Sequence, residues 1–60
     1  NQKLYFMLYT VLIDSKLEDL IKQVNDLIQK GWIPQGGFCE SSSGAIYHYT
    51  QAMIKNSKTQ

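Results

Sequence analysis

Apolar side chains alternate along the first part of the chain in a way that leaves neither side polar. Between Lys3 and Ile13, Leu4, Phe6, Leu8, Thr10 and Leu12 fall on one side of an extended backbone, and Tyr5, Met7, Tyr9, Val11 and Ile13 fall on the other. The density of aromatic and β-branched residues predicts a strand over about residues 3–13. A strand apolar on both faces is expected to be covered on both. One helix in a short chain cannot cover both, so a further partner is expected.

The period changes after Asp14. Leu17, Leu20, Ile21, Val24, Leu27 and Ile28 recur three and four apart, the stripe of one helical face, and Glu18, Asp19, Lys22, Gln23, Asp26, Gln29 and Lys30 fill the rest. Ser15-Lys16-Leu17-Glu18 reads as a capping box, in which the Ser15 hydroxyl accepts from the Glu18 N–H and the Glu18 carboxylate returns the bond. Gly31 stands where a residue of positive φ ends a helix, and Trp32 follows as its apolar contact. The helix is predicted at about residues 15–30.

Trp32–Cys39 reads as a second strand. Pro34 lacks the N–H that a central strand donates, so this strand belongs at an edge or begins irregularly. Gly36-Gly37 reads as a β-bulge, or as room for a close neighbour such as the helix. Glu40–Gly44 is a polar loop with a glycine for the turn, and Ala45–Lys55 is the third strand. Asn56–Gln60 reads as a frayed polar tail. The third strand has the best β composition and no proline, so it belongs at the centre. The expected fold is one α+β domain, residues 1–60, of order β-α-β-β: a three-stranded, mainly antiparallel sheet, order 1-3-2, with the helix on one face.

Simple hairpin register puts Trp32, Pro34, Phe38, Tyr47, Tyr49, Gln51 and Met53 on one face. Ile33, Gly37, Cys39, Ile46, His48, Thr50, Ala52 and Ile54 share the other. The small residues of the second set suggest that the helix lies there. The aromatic set would then be open, and the candidate interface or ligand face is Tyr5, Tyr9, Trp32, Phe38, Tyr47, Tyr49, Gln51 and Met53.

Size sharpens the case for a partner. A chain of 60 residues buries only about 60% of the surface that its unfolded form exposes. Small domains of this kind gain support from disulfides, a metal or self-association. Cys39 is the single cysteine and His48 the single histidine, so neither an internal disulfide nor a four-ligand zinc site can be built from them. A homo-oligomer is expected, with a dimer as the commonest form.

The net charge is +1, and the basic residues are six scattered lysines, Lys3, Lys16, Lys22, Lys30, Lys55 and Lys58. That is a poor electrostatic grip on nucleic acid or an anionic membrane. No run of about 18 apolar residues could span a bilayer. Leu4–Ile13 lacks a small-residue cleavage site and leads straight into a helix start, unlike a signal peptide. The lone cysteine fits a reducing, cytoplasmic compartment. The chain begins at Asn1 rather than Met, which fits a trimmed chain or a piece of a longer one.

Chemistry-bearing residues have plain alternatives. If Ser43-Gly44 makes a two-residue turn, Cys39 pairs with His48, but thiol catalysis also needs a cleft and an oxyanion site. Glu18, Asp19 and Asp26 lie on the solvated helix face and Glu40 at the hairpin mouth, with no environment-split pair among them. Gly36-Gly37 follows Pro34 inside a strand and leads into another strand, where no helix N-terminus can hold a phosphate.

Leu17–Asn25, running into Gly31-Trp32-Ile33-Pro34-Gln35-Gly36-Gly37 and then Tyr49-Thr50-Gln51-Ala52-Met53-Ile54-Lys55, resembles the small bacterial and phage family called domain of unknown function 1737. The pattern is a strand, a helix with LxxxVNxLxxxGW, then PxGG, then a strand ending YxQAM. Leu20, Val24, Asn25, Leu27, Gly31, Trp32, Pro34, Gly36, Gly37, Tyr49, Gln51, Ala52 and Met53 carry the resemblance. The resemblance spans nearly the whole chain and implies this fold and a bacterial or phage origin. It implies no activity.

The reading is therefore a non-enzymatic oligomerising interaction module, with no cofactor and no metal, whose partner is a second copy or an unidentified protein. The alternative is an oligomer binding a small ligand or nucleotide at subunit interfaces lined by Tyr, Trp and Gln51. Single-stranded nucleic acid stacked on the aromatic face comes third, because such surfaces are flanked by Arg and Lys. An enzyme comes last.

Overall fold

In the computed structural model, which describes residues 4–59, the chain forms β1 (Leu4–Asp14), α1 (Leu17–Gln29), β2 (Ile33–Ser43) and β3 (Ile46–Thr59). The expected first position of β1, Lys3, and the last tail residue, Gln60, lie outside the described residues. β3 is central and pairs antiparallel with both neighbours, giving the order β1-β3-β2. The α+β architecture is the expected one.

Local chemistry explains where α1 stops. The Trp32 N–H donates to the Leu27 carbonyl at 3.0 Å and the Gly31 N–H to the Ile28 carbonyl at 3.1 Å, the two bonds of a Schellman motif. Gly31 takes φ +96°, a conformation that a β-carbon disfavours.

The start of α1 differs from expectation. Lys16, not Ser15, precedes the first helical residue, and no side chain caps it. The capping box is therefore a correction: Ser15 sits one residue too early to reach the first turn. Asp14 takes over the approach to the helix. Its Oδ1 accepts from the Lys16 N–H at 3.0 Å and its Oδ2 from the Gln23 amide at 2.8 Å, so one carboxylate makes an Asx-type turn and ties the strand end to the helix.

The strands are longer than their composition suggests. Glu40–Ser43 belongs to β2, and the turn is Gly44-Ala45, with Ser43 opposite Ile46. The polar segment from Asn56 to Thr59 is the end of β3, paired with Leu4–Met7. Main-chain bonding to an apolar partner strand recruits residues of low β propensity there. The tail and loop expectations are both corrected on this ground. The turn position also separates Cys39 from His48: Cys39 faces Thr50 and His48 faces Ser41.

The helix packs on the face expected to be open. Leu20 of α1 is 1% exposed and Met53 of β3 0%, and alternation places Met53 with Gln51 and Tyr49, not with Ala52 and Ile54. The assignment to the small-residue face is thus overturned. A helix lying on a sheet leaves a gap that must be filled at interior packing density, and bulky Met53 and Leu20 fill it where Ala52 and Thr50 could not.

Leu20 and Met53 are the only buried hydrophobic residues among those described. The molecule is elongated, 54 × 19 × 14 Å, with a radius of gyration of 14.3 Å, against about 10 Å for a compact chain of this length. β1 and β2 both flank β3 only over residues 49–54. Beyond that overlap the sheet continues as two-stranded ribbons: residues 4–8 with 55–59 at one end, 41–43 with 46–48 at the other.

Candidate functional site

The sheet has two faces of different character, and the β1–β3 register fixes their membership. Thr10 is opposite Met53 and Leu12 opposite Gln51, so the even-numbered residues of β1 share the helix side. Tyr9 is opposite Ile54, Val11 opposite Ala52 and Ile13 opposite Thr50, so the odd-numbered residues share the other side. No described element covers that second face. Tyr5 is 71% exposed and Tyr9 64%, and Met7, Val11, Ile13, Ile33 and Ile46 are exposed as well.

On the helix side, the bulge and one polar side chain form a unit. The β2–β3 register shifts between Gln35 and Cys39, so Gly36, Gly37 and Phe38 lie opposite Gln51 alone. Gly36 adopts φ +73° with nothing within 4 Å of where a β-carbon would stand. Its role is conformational, not the close-neighbour role also considered. The extra residues turn carbonyls out of the ladder. Gln51, 7% exposed, answers them: its Nε2 donates to the carbonyls of Gly36 and Ala52 at 3.0 Å and of Gln35 at 3.3 Å. A two-hydrogen amide serving three acceptors shares one of its N–H groups.

Beside this unit, Leu17, Leu20, Ile21, Val24, Phe38 and Gln51 line a recess of about 130 Å³. The rings of Phe38 and Tyr49 meet at 6.3 Å between centroids, tilted by 49°. Loss of solvent, then the carboxylate of Glu40 across the strand pair and then Tyr47, push the Tyr49 phenol above its ordinary value. Farther along, the Lys55 ammonium stands 6.0 Å from the centroid of the Trp32 ring, within reach of a cation–π attraction.

The eight candidate residues are therefore divided. Trp32, Phe38, Tyr47, Tyr49, Gln51 and Met53 share the helix side, where Met53 and Gln51 are buried and serve packing and the bulge. Tyr5 and Tyr9 belong to the open face. What the earlier set lacks is Met7, Val11, Ile13, Ile33, Ile46 and Ile54. Their signal was present in the odd-numbered row of β1, which needed only its register against β3 to join them into one surface.

Charge divides the same way. Glu18, Asp19 and Asp26 are on the helix, Asp14 bonds toward it, and Glu40 pairs with Tyr49 on its side of the sheet. Lys55 is on that side too. Among the described residues Lys58, opposite Tyr5 at the ribbon end, is the one charged residue in the open rows.

Among the described residues no three His, Cys, Asp or Glu side chains are placed to hold a metal ion, and no helix is long and apolar enough to cross a membrane. Comparison with protein-family models, curated proteins and solved structures returned no match.

Proposed function

We propose that this chain is a non-enzymatic interaction module that works as a homo-oligomer. One observation carries the reading: Tyr5, Met7, Tyr9, Val11, Ile13, Ile33 and Ile46 stand exposed on the sheet face that no described element covers, while Leu20 and Met53 are the only buried hydrophobic residues among those described. Soluble monomers rarely leave apolar patches larger than a few hundred Å² open to water. A core of Leu20 and Met53 offers little against the entropy of ordering 60 residues. Association supplies the missing burial, and folding and assembly become linked. The lone thiol fits a reducing, cytoplasmic setting, and the family resemblance adds a bacterial or phage origin.

The small-ligand alternative has the recess beside Gln51 in its favour. That space is about 130 Å³, well below the roughly 300–1,000 Å³ of ordinary ligand pockets. The Gln51 amide is already committed to carbonyls. Nucleic acid fares worse, because the open rows hold a single lysine and no arginine among the described residues.

Sedimentation equilibrium combined with thermal melting over a wide concentration range tests the proposal. The expected result is a mass at least twice 6.9 kDa, with a melting temperature that rises with concentration. A well-folded monomer at high dilution, melting at one temperature throughout, would end it.

A further inference from the structure

The oligomerising reading leaves open which surface meets the partner, and three observations bear on that choice. The first is area. A folded chain of this mass exposes roughly 4,000 Å², whereas this one exposes 4756 Å². The surplus of about 750 Å² goes with the elongated shape of the whole chain, 54 × 19 × 14 Å, and is of the size of the ~800 Å² that each partner contributes to a standard interface.

The second is charge. Val11, Ile13, Ile33, Ala52 and Ile54 form the middle of the open face, and among the described residues the one charged residue in its rows is Lys58 at the ribbon end. The described acidic residues are all on the helix side. A partner for such a surface must be uncharged and apolar, and it needs no complementary sign. A second copy of the same face meets that requirement.

The third is what the competing arrangement fails to do. Pairing two β1 edges would satisfy the free N–H and C=O groups of that strand. It would also set two open faces side by side and enlarge the patch in water. Face packing removes the patch itself.

We infer that two copies pack open face to open face about a two-fold axis, making a sandwich of two three-stranded sheets with one helix on each outer side. The inference rests on the oligomerising reading and names its interface. Two sheets stacked in this way stand about 10 Å apart with their inner side chains interdigitated. Tyr9, Val11 and Ile54 of each copy fill that layer. Lys58 lies at the ribbon end, where a lysine stem can run along the rim and keep its ammonium in water.

The central strand separates the two arrangements, because an edge partner does not reach its side chains. Ala52→Lys and Thr50→Lys place a charge at half-buried β3 positions of the open face. Each is expected to weaken self-association by about 100-fold or more, since the interface would bury an unpaired ammonium. Loss of the interface can unfold so small a chain, so a second measurement uses the unaltered protein. Isotope-filtered NMR on mixed labelled and unlabelled chains is expected to show contacts between copies from the Tyr9 ring to the Val11 and Ile54 methyls.

Undiminished association of both lysine variants, with amide contacts between copies along β1, would overturn the face-to-face arrangement and leave the oligomer standing. A concentration-independent folded monomer would overturn both.

Discussion

Gln51 shows how much one side chain can settle in a chain this small. It lies beneath the helix, a place that favours an apolar residue, yet its amide holds three carbonyls, two of them at the bulge. Replacing it with leucine keeps the bulk and orphans those acceptors. The expected loss is about 1–3 kcal/mol, read from urea unfolding at fixed concentration. An unchanged midpoint would mean that water serves the bulge equally well. The two bulge glycines make a sharper comparison. Gly36 has φ +73° and Gly37 no such requirement, and neither would meet a neighbour through a new β-carbon. Gly36→Ala should therefore cost about 1 kcal/mol, and Gly37→Ala should stay within about 0.5 kcal/mol of the parent. Equal effects from the two would show that bulge geometry is not what selects glycine.

At the scale of elements, the two ends of α1 were unequally legible. The stop depends on Gly31 and the turn just before it, a local bond pattern that Gly31-Trp32 announces in the sequence. The start depends on where β1 lets go of the sheet. Asp14 still pairs with Tyr49, which leaves Ser15 in the connection and moves the side-chain bonding to the Asp14 carboxylate. Asp14→Ala should destabilise by about 0.5–2 kcal/mol, as the loss of a cap does, while Ser15→Ala should fall within about 0.5 kcal/mol. Thermal melts of both variants at matched concentration check the order; the reverse order would restore the capping box. The strand ends follow the same logic. Ser57 and Lys58 have little β preference of their own, and Phe6 and Tyr5 opposite them supply the ladder.

For the whole molecule, shape is the telling property. A 13-residue helix is about 20 Å long, and the 14 residues of β3 run to about 47 Å. The helix therefore cannot reach both ribbon ends, and a two-stranded ribbon alone is marginal in water. Amide exchange at residues 4–8 and 55–59 should slow markedly as concentration rises, while residues 49–54, flanked on both sides, stay the best protected. Ribbon amides protected equally at high dilution would show that the ends hold without a partner.

Period and turn chemistry by themselves determined four elements in order, the centrality of β3 and the helix stop, and left Gly36-Gly37 as either a bulge or room for a close neighbour. Each is a matter of neighbours in the chain, or of a pattern of period two or 3.6. The face under the helix was decided only by tertiary structure, because β1 is apolar on both sides and its pattern is degenerate. Choosing between Met53 and Ile54 as the buried row is a shift of one residue in the pleat. Packing volume made that choice: Met53 and Leu20 fill the gap between layers, and Gln51 meets the carbonyls that the bulge releases. The same choice left Tyr9, Val11 and Ile54 on the open side, so the surface proposed for assembly follows from the packing of the helix.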